Sequence, residues 1–168
     1  MAGATWNGKR DLPKLIVSIL VCLGAGVAGS VFTTPQIPGW YAGLEKPWFT
    51  PPPWVFGPVW TTLFILMGIA LFLVWREGLE RPDVRQGVAL FAIQLVFNVA
   101  WSWLFFGLQS PAAGLAGIVI LWVLILATLI RFWTISRTAG ALLVPYLLWV
   151  TIAANLNYGI WVLNSVPP

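Results

Sequence analysis

The sequence predicts an all-α integral membrane protein: one bundle of five transmembrane helices with a Trp/Pro-rich lid loop between the first and second. Three observations carry this. Sixty per cent of the residues are apolar and only 8% are charged, against about a quarter charged in soluble domains. The apolar residues gather into five unbroken runs long enough to cross a bilayer, rather than alternating inside and outside over about ten residues as a barrel strand does. Finally, the basic residues collect on one side of the alternation that five crossings create.

The runs cover roughly 13–32, 53–75, 84–107, 112–132 and 140–163, leaving 33–52 as the lid of a single 1–168 domain. None holds a charge in its interior. A mid-membrane Asp, Lys or Arg costs about 2.5–3.5 kcal/mol on insertion scales, so a functional proton relay, ion path or voltage sensor would show itself as such a residue. No charged ring or filter sequence supports a channel, and five spans offer no obvious inverted repeat for a carrier.

The first run follows a basic segment and ends in small residues around Gly24 to Ser30, features shared with secretory signals. It is longer than a usual signal core, and its removal would take away the first anchor of the lid, so it is read as a retained helix. Gly24, Ala25, Gly26, Ala28, Gly29 and Ser30 here, and Ala112, Ala113, Gly114, Ala116 and Gly117 in the fourth run, follow small-xxx-small spacing. That spacing serves packing within the bundle or a dimer seam. Gly68 and Ala70 in the second run carry the same two readings.

Eight of the nine Lys and Arg (Lys9, Arg10, Lys14, Arg76, Arg81, Arg85, Arg131 and Arg137) fall at the end shared by the N-terminus, the second loop and the fourth loop. Only Lys46 lies opposite. The positive-inside rule then predicts a cytoplasmic N-terminus, with the lid and C-terminus on the outer side. The same scatter excludes a nucleic-acid partner despite a pI near 9.7, because the basic residues never form a stripe.

Catalytic chemistry finds few carriers. There is no His, one Cys (Cys22), and every Asp and Glu lies in the N-terminal segment or a loop, so no carboxylate pair, triad or zinc set forms inside the bundle. What remains in the membrane is amides, hydroxyls and indoles. Gln94, Asn98 and Trp101 recur at i, i+4 and i+7 on the third run, and Pro145, Trp149, Ala153, Asn157 and Trp161 form a similar stripe on the fifth. A proline inside a span frees a carbonyl and bends a helix, so Pro145 beside Asn98 could frame a pocket. The amides serve equally as interhelical glue. Trp6, Trp40, Trp75, Trp133 and Trp161 suit the interfacial belt, whereas Trp60, Trp101, Trp103, Trp122 and Trp149 lie deeper.

The lid is the densest signal: Trp40 through Trp60 holds four Trp and five Pro. Such a loop has little freedom to lose on ordering, and its rings can cover a flat apolar ligand. Trp40-Tyr41, Leu44-Glu-Lys-Pro-Trp-Phe-Thr-Pro-Pro52, Pro58-Val-Trp60, Leu73-Val-Trp-Arg-Glu77, Phe97-Asn98, Trp101-Ser-Trp103, Val144-Pro-Tyr-Leu-Leu-Trp149 and Leu156-Asn-Tyr158 follow in an order that resembles the TspO/translocator-protein family, the tryptophan-rich sensory proteins related to the peripheral benzodiazepine receptor. The resemblance spans nearly the whole chain. It implies a five-helix bundle, usually a homodimer, whose lid covers a cavity for protoporphyrin, haem and related flat ligands. By matching position it implies that Tyr41, Pro51, Trp60, Asn98, Trp149 and Ala153 line that cavity, with Trp101 and Asn157 beside them; Gln94 joins through its stripe. Two departures stand out. No Lys or Arg follows Tyr158, which removes the family's sterol-recognition pattern there, and a helix-two small-residue pair reads Leu66 and Ala70.

The function expected is a membrane receptor or sensor that binds tetrapyrroles and affects their transport, turnover or stress signalling, with no obligatory cofactor or metal. One alternative is light- and oxygen-dependent porphyrin breakdown with Trp60 or Trp149 against the macrocycle; another is a lipid, sterol or small-molecule translocator. Haem iron takes an axial His, Cys, Met or Tyr, and the internal candidates reduce to Cys22, Met67 and the tyrosines. Metal-free protoporphyrin is therefore expected to bind at least as well as haem in parallel titrations; much tighter haem binding with a low-spin spectrum contradicts this.

Overall fold

The computed structural model describes residues 7–165. Five helices carry the chain: α1 (Gly8–Thr33), α2 (Pro53–Trp75), α3 (Pro82–Ser102), α4 (Pro111–Ile135) and α5 (Arg137–Ser165). All five helical segments are long and apolar enough to cross a membrane, and no strand occurs among the described residues. Trp6, expected in the interfacial belt, lies outside those residues.

Helix starts follow the prolines. Pro53, Pro82 and Pro111 open α2, α3 and α4, where a missing N–H costs nothing because the first turn has no intrahelical acceptor for it. Ser110 caps α4 by accepting from the Ala113 amide at 3.2 Å. The α4–α5 joint is a single extended residue, Ser136 (φ −147°, ψ 114°), whose Oγ accepts from the Ala139 amide at 3.3 Å. So short a hairpin presses the two helices together: a Cβ on Gly140 would lie 2.9 Å from the Trp133 Cα.

Helix limits differ from the sequence expectation mainly at the lid end. The lid expected over 33–52 is shorter, because α1 runs on through a 3-10 turn (Thr34–Gln36) and a π turn (Ile37–Tyr41). Pro35 and Pro38 do not break it. Changes of hydrogen-bond register absorb their missing donors, with the Ile37 amide donating to the Thr34 carbonyl and the Ala42 amide to Gly39 and Trp40. A second π turn (Trp103–Gly107) closes α3, with the Leu108 amide bonded to the Trp103 carbonyl at 2.8 Å. Pro145 sits inside α5 without ending it.

The core runs the length of the bundle through Cys22, Met67, Val74, Val84, Leu121, Phe132, Ala139 and Val150, all fully buried. Phe91 and Phe132 stack face to face across α3 and α4 at 5.7 Å. At the basic end, the buried Asp11 accepts from the Asn7 amide at 2.8 Å and pairs with Arg76 at 3.4 Å, joining the start of α1 to the end of α2. Most of the small residues pack within the bundle. Gly26 faces the Phe64 ring, Gly29 the Ser102 hydroxyl, and Gly117 Leu104. Gly68 meets backbone first: a Cβ there would lie 2.6 Å from the Ile19 Cα.

Gly68→Ala should therefore lower the thermal unfolding midpoint in detergent, at about 1–3 kcal/mol of overpacking, even though Ala is the better helix former. A Cβ on Gly24 would meet nothing within 4 Å among the described residues, so Gly24→Ala should be neutral or stabilise by up to about 1 kcal/mol. Equal responses at the two sites would refute the close α1–α2 approach.

Candidate functional site

The amide stripe of α3 meets α5 in the bundle interior. Asn98 Nδ2 donates to the Tyr146 hydroxyl at 2.9 Å, and that hydroxyl donates to Gln94 Oε1 at 3.1 Å, all three residues being buried. One turn toward the lid, Trp101 Nε1 donates to Asn157 Oδ1 at 3.2 Å while Asn157 Nδ2 donates to the Pro111 carbonyl at 2.7 Å. Gly114 admits this second pair, since a Cβ there would lie 2.8 Å from Asn157 Oδ1. Both amide stripes thus bond across helices, and α3, α4 and α5 are tied at two depths.

Two N–H donors on α3 and α5 stay unused. Gln94 Nε2 and Trp149 Nε1 are buried without a hydrogen-bond partner among the described residues, a costly state in a medium that offers no water. Trp149 packs edge-on to Phe56 of α2 at 5.8 Å. Ser18 Oγ of α1 is buried and has no partner among the described residues either.

Between the amides and the lid runs a ladder of rings. Trp60 stacks on Phe64 at 5.6 Å and on Trp101 at 6.5 Å, and touches Tyr146 edge-on at 6.3 Å. Trp101 stacks on Phe105 at 5.8 Å. The two π turns then face each other: Trp40 and Tyr41 from one meet Phe105 and Phe106 from the other at 5.5–6.4 Å. The i→i+5 register gives each turn an extra residue, which lets neighbouring rings share one side.

The lid above this ladder is pinned. Asn164 near the end of α5 accepts from the Glu45 amide at 3.1 Å and donates to the Glu45 carbonyl at 2.9 Å. Lys46 Nζ bonds the Leu44 carbonyl at 2.8 Å and lies 4.8 Å from the centre of the Tyr41 ring. Pro47 packs on Gly159, and Gln36 accepts from Gln109 Nε2 at 2.9 Å.

Of the residues singled out in the sequence, Trp60, Gln94, Asn98, Trp101 and Asn157 meet in one connected set, with Tyr41 at its lid end. Trp149 lies against Phe56, Ala153 is buried in the core of α5, and Pro51 is half-buried in the connector before α2. Phe105, Phe106 and Phe56 are not singled out by the sequence, and Tyr146 stands there only within the Val144–Trp149 motif, with nothing to show that it joins the two amides. Phe105 was within reach, because the series 94, 98, 101 continues to 105 at helical spacing. Tyr146→Phe should cost about 1–2 kcal/mol in thermal unfolding by leaving two buried amides short of a partner. In an Asn98→Ala background it should cost less, and additivity of the two would show that the bond carries no coupling.

Comparison with known proteins identifies the family. The sequence pattern of the TspO/MBR family matches residues 18–162. The chain is 50% identical to the tryptophan-rich protein TspO of Chlorobaculum tepidum over 93% of this chain and 99% of that one. It is 39% identical to protein CrtK of Rhodobacter capsulatus over 92% and 94% of the two chains, and 37% identical to the translocator protein of Homo sapiens over 89% of each. With the match covering most of its length and the five membrane-spanning helices in place, this chain belongs to the TspO/MBR family of multi-pass membrane proteins.

Proposed function

We propose that the protein is a membrane receptor or sensor for tetrapyrroles and related flat apolar ligands, acting on their transport, turnover or signalling. The observation that carries this reading is the ring ladder from Phe64 through Trp60 and Trp101 to Phe105, flanked by the two unused donors Gln94 Nε2 and Trp149 Nε1. A planar ligand that enters exchanges ring–ring contacts for ring–ligand contacts of the same kind, so stacking alone changes little. The gain comes from buried N–H groups that find acceptors, and a ligand edged with carbonyl or carboxylate oxygens supplies them.

The residues fit a porphyrin held by stacking and hydrogen bonds better than one held through its iron. Cys22 and Met67 are fully enclosed in the core, and Tyr146 already spends its hydroxyl on two amides. Trp60 and Trp101 would stack on the macrocycle, while Gln94, Asn98 and Trp149 would orient its polar edge. The pinned, proline-rich connector would hold the site closed at little further entropic cost. By the positive-inside rule the lid end would face outward, away from the cytoplasm.

The test is a titration of the full chain in nanodiscs with protoporphyrin in the dark, followed by Trp fluorescence quenching. Wild type should saturate at micromolar concentration or below, and Asn98→Ala and Trp149→Ala should each weaken binding by about 2- to 10-fold, the worth of a hydrogen bond. Unsaturable quenching insensitive to both substitutions would mean partition into lipid and would end this reading.

A further inference from the structure

The net charge of the chain sits at one end of the bundle. Eight of the nine basic residues share that end with Asp11, Glu77, Glu80 and Asp83, and eight positive against four negative leaves the whole +4 there. At the lid end Lys46 and Glu45 cancel. The acids are not shared evenly among the cations. Asp11 pairs with Arg10 and Arg76, while Glu77 and Asp83 pair with Arg81. Lys14 and Arg85 form no ion pair among the described residues.

These two cations stand at the mouth of an apolar groove of about 700 Å³ between α1 and α3. At the lid end the two helices touch: a Cβ on Gly29 would lie 3.0 Å from Ser102 Oγ, and Phe32 lies against Gly107. Below that contact Leu71 of α2 forms the floor, with Val21 and Ala25 of α1 on one wall and Val88 and Ala92 of α3 on the other. Helical spacing puts Arg85 one turn before Val88, and Lys14 two turns before Val21, on the same helix faces. Lys14 is held there, its Nζ 5.6 Å from the centre of the Trp75 ring, one turn beyond Leu71. From Val88 to Trp103 the groove runs about 22 Å, which exceeds the roughly 15 Å that the acyl chains of one leaflet span.

An extended hydrocarbon chain suits such a groove, because the recess that Ala25 and Ala92 leave is filled by dispersion contacts that need no direction. Selection comes from the mouth. Basic side chains between membrane helices at the hydrocarbon boundary attract an anionic headgroup, and a guanidinium bonds phosphate oxygens in pairs. We propose that this groove binds one anionic glycerophospholipid, with an acyl chain lying along α1 and α3 and the phosphate between Lys14 and Arg85. A neutral lipid, or the apolar flank of another helix, satisfies the walls but leaves both cations without a counter-charge. The groove opens on the outside of the bundle, so its occupant is independent of what the interior rings bind.

Native mass spectrometry of the full chain, released from micelles doped with phosphatidylglycerol and phosphatidylcholine of identical acyl chains, tests this. Wild type should retain one phosphatidylglycerol, preferred about tenfold or more over phosphatidylcholine. Arg85→Gln and Lys14→Gln should each lower that retention about fivefold, the worth of one cation beside an anionic headgroup. Arg137→Gln at the start of α5 removes the same charge away from the groove and should leave retention unchanged. Ala92→Phe fills the groove with both cations intact and should displace the lipid. Equal retention of the two lipids, equal losses in Arg85→Gln and Arg137→Gln, or full retention in Ala92→Phe would each overturn the proposal. Arg85, Ala92 and Arg137 are exposed, so the thermal unfolding midpoint should stay at its wild-type value in these variants.

Discussion

Tyr146 is bonded through one oxygen to both Asn98 and Gln94, and the constraint it answers shapes the whole bundle. Hydrocarbon offers no hydrogen bonds, so each polar group inside must find a partner in the protein or carry its full desolvation cost. The second tie, Trp101 to Asn157 to the Pro111 carbonyl, answers the same demand nearer the lid and draws in the start of α4. At the opposite end, Asp11 meets it with Arg76 and the Asn7 amide. Because hydrophobic burial does not distinguish Leu in the bundle from Leu in lipid, these bonds and the close approaches at Gly68 and Gly114 fix which helices neighbour which.

The ligand proposed above rests on the donors that this network leaves over. Gln94 Nε2 and Trp149 Nε1 lie on the two helices, α3 and α5, that the rest of the network joins. Both are neutral donors with no cation near them in sequence, and the proposal matches them with oxygens at the edge of a flat apolar body. The ring ladder offers the matching face. Its lid end depends on two π turns, irregularities that a helix ordinarily avoids and that here gather Trp40, Tyr41, Phe105 and Phe106 into one cluster.

Several elements are legible in the sequence itself. The limits of α2 are those expected, 53–75, because Pro53 starts it and the charged Arg76-Glu77 follows it. The amide stripe 94, 98, 101 was legible because helical spacing alone aligns it. The end of α1 is not legible there: Pro35 and Pro38 signal a break by the usual rule, whereas the chain shifts register and continues through the 3-10 and π turns. Phe56 carried no signal at all, since its role comes from Trp149, far away in sequence.

By itself the sequence determined the membrane class, the five crossings, the basic end and the family, because run length, charge placement and ordered motifs are local properties that need no knowledge of neighbours. Only the tertiary structure decided which amide bonds which hydroxyl, which indoles stack, and which donors are left over. Those outcomes depend on the azimuth and depth at which separate helices meet, and a one-residue change of register, as at the two π turns, is enough to redirect a side chain.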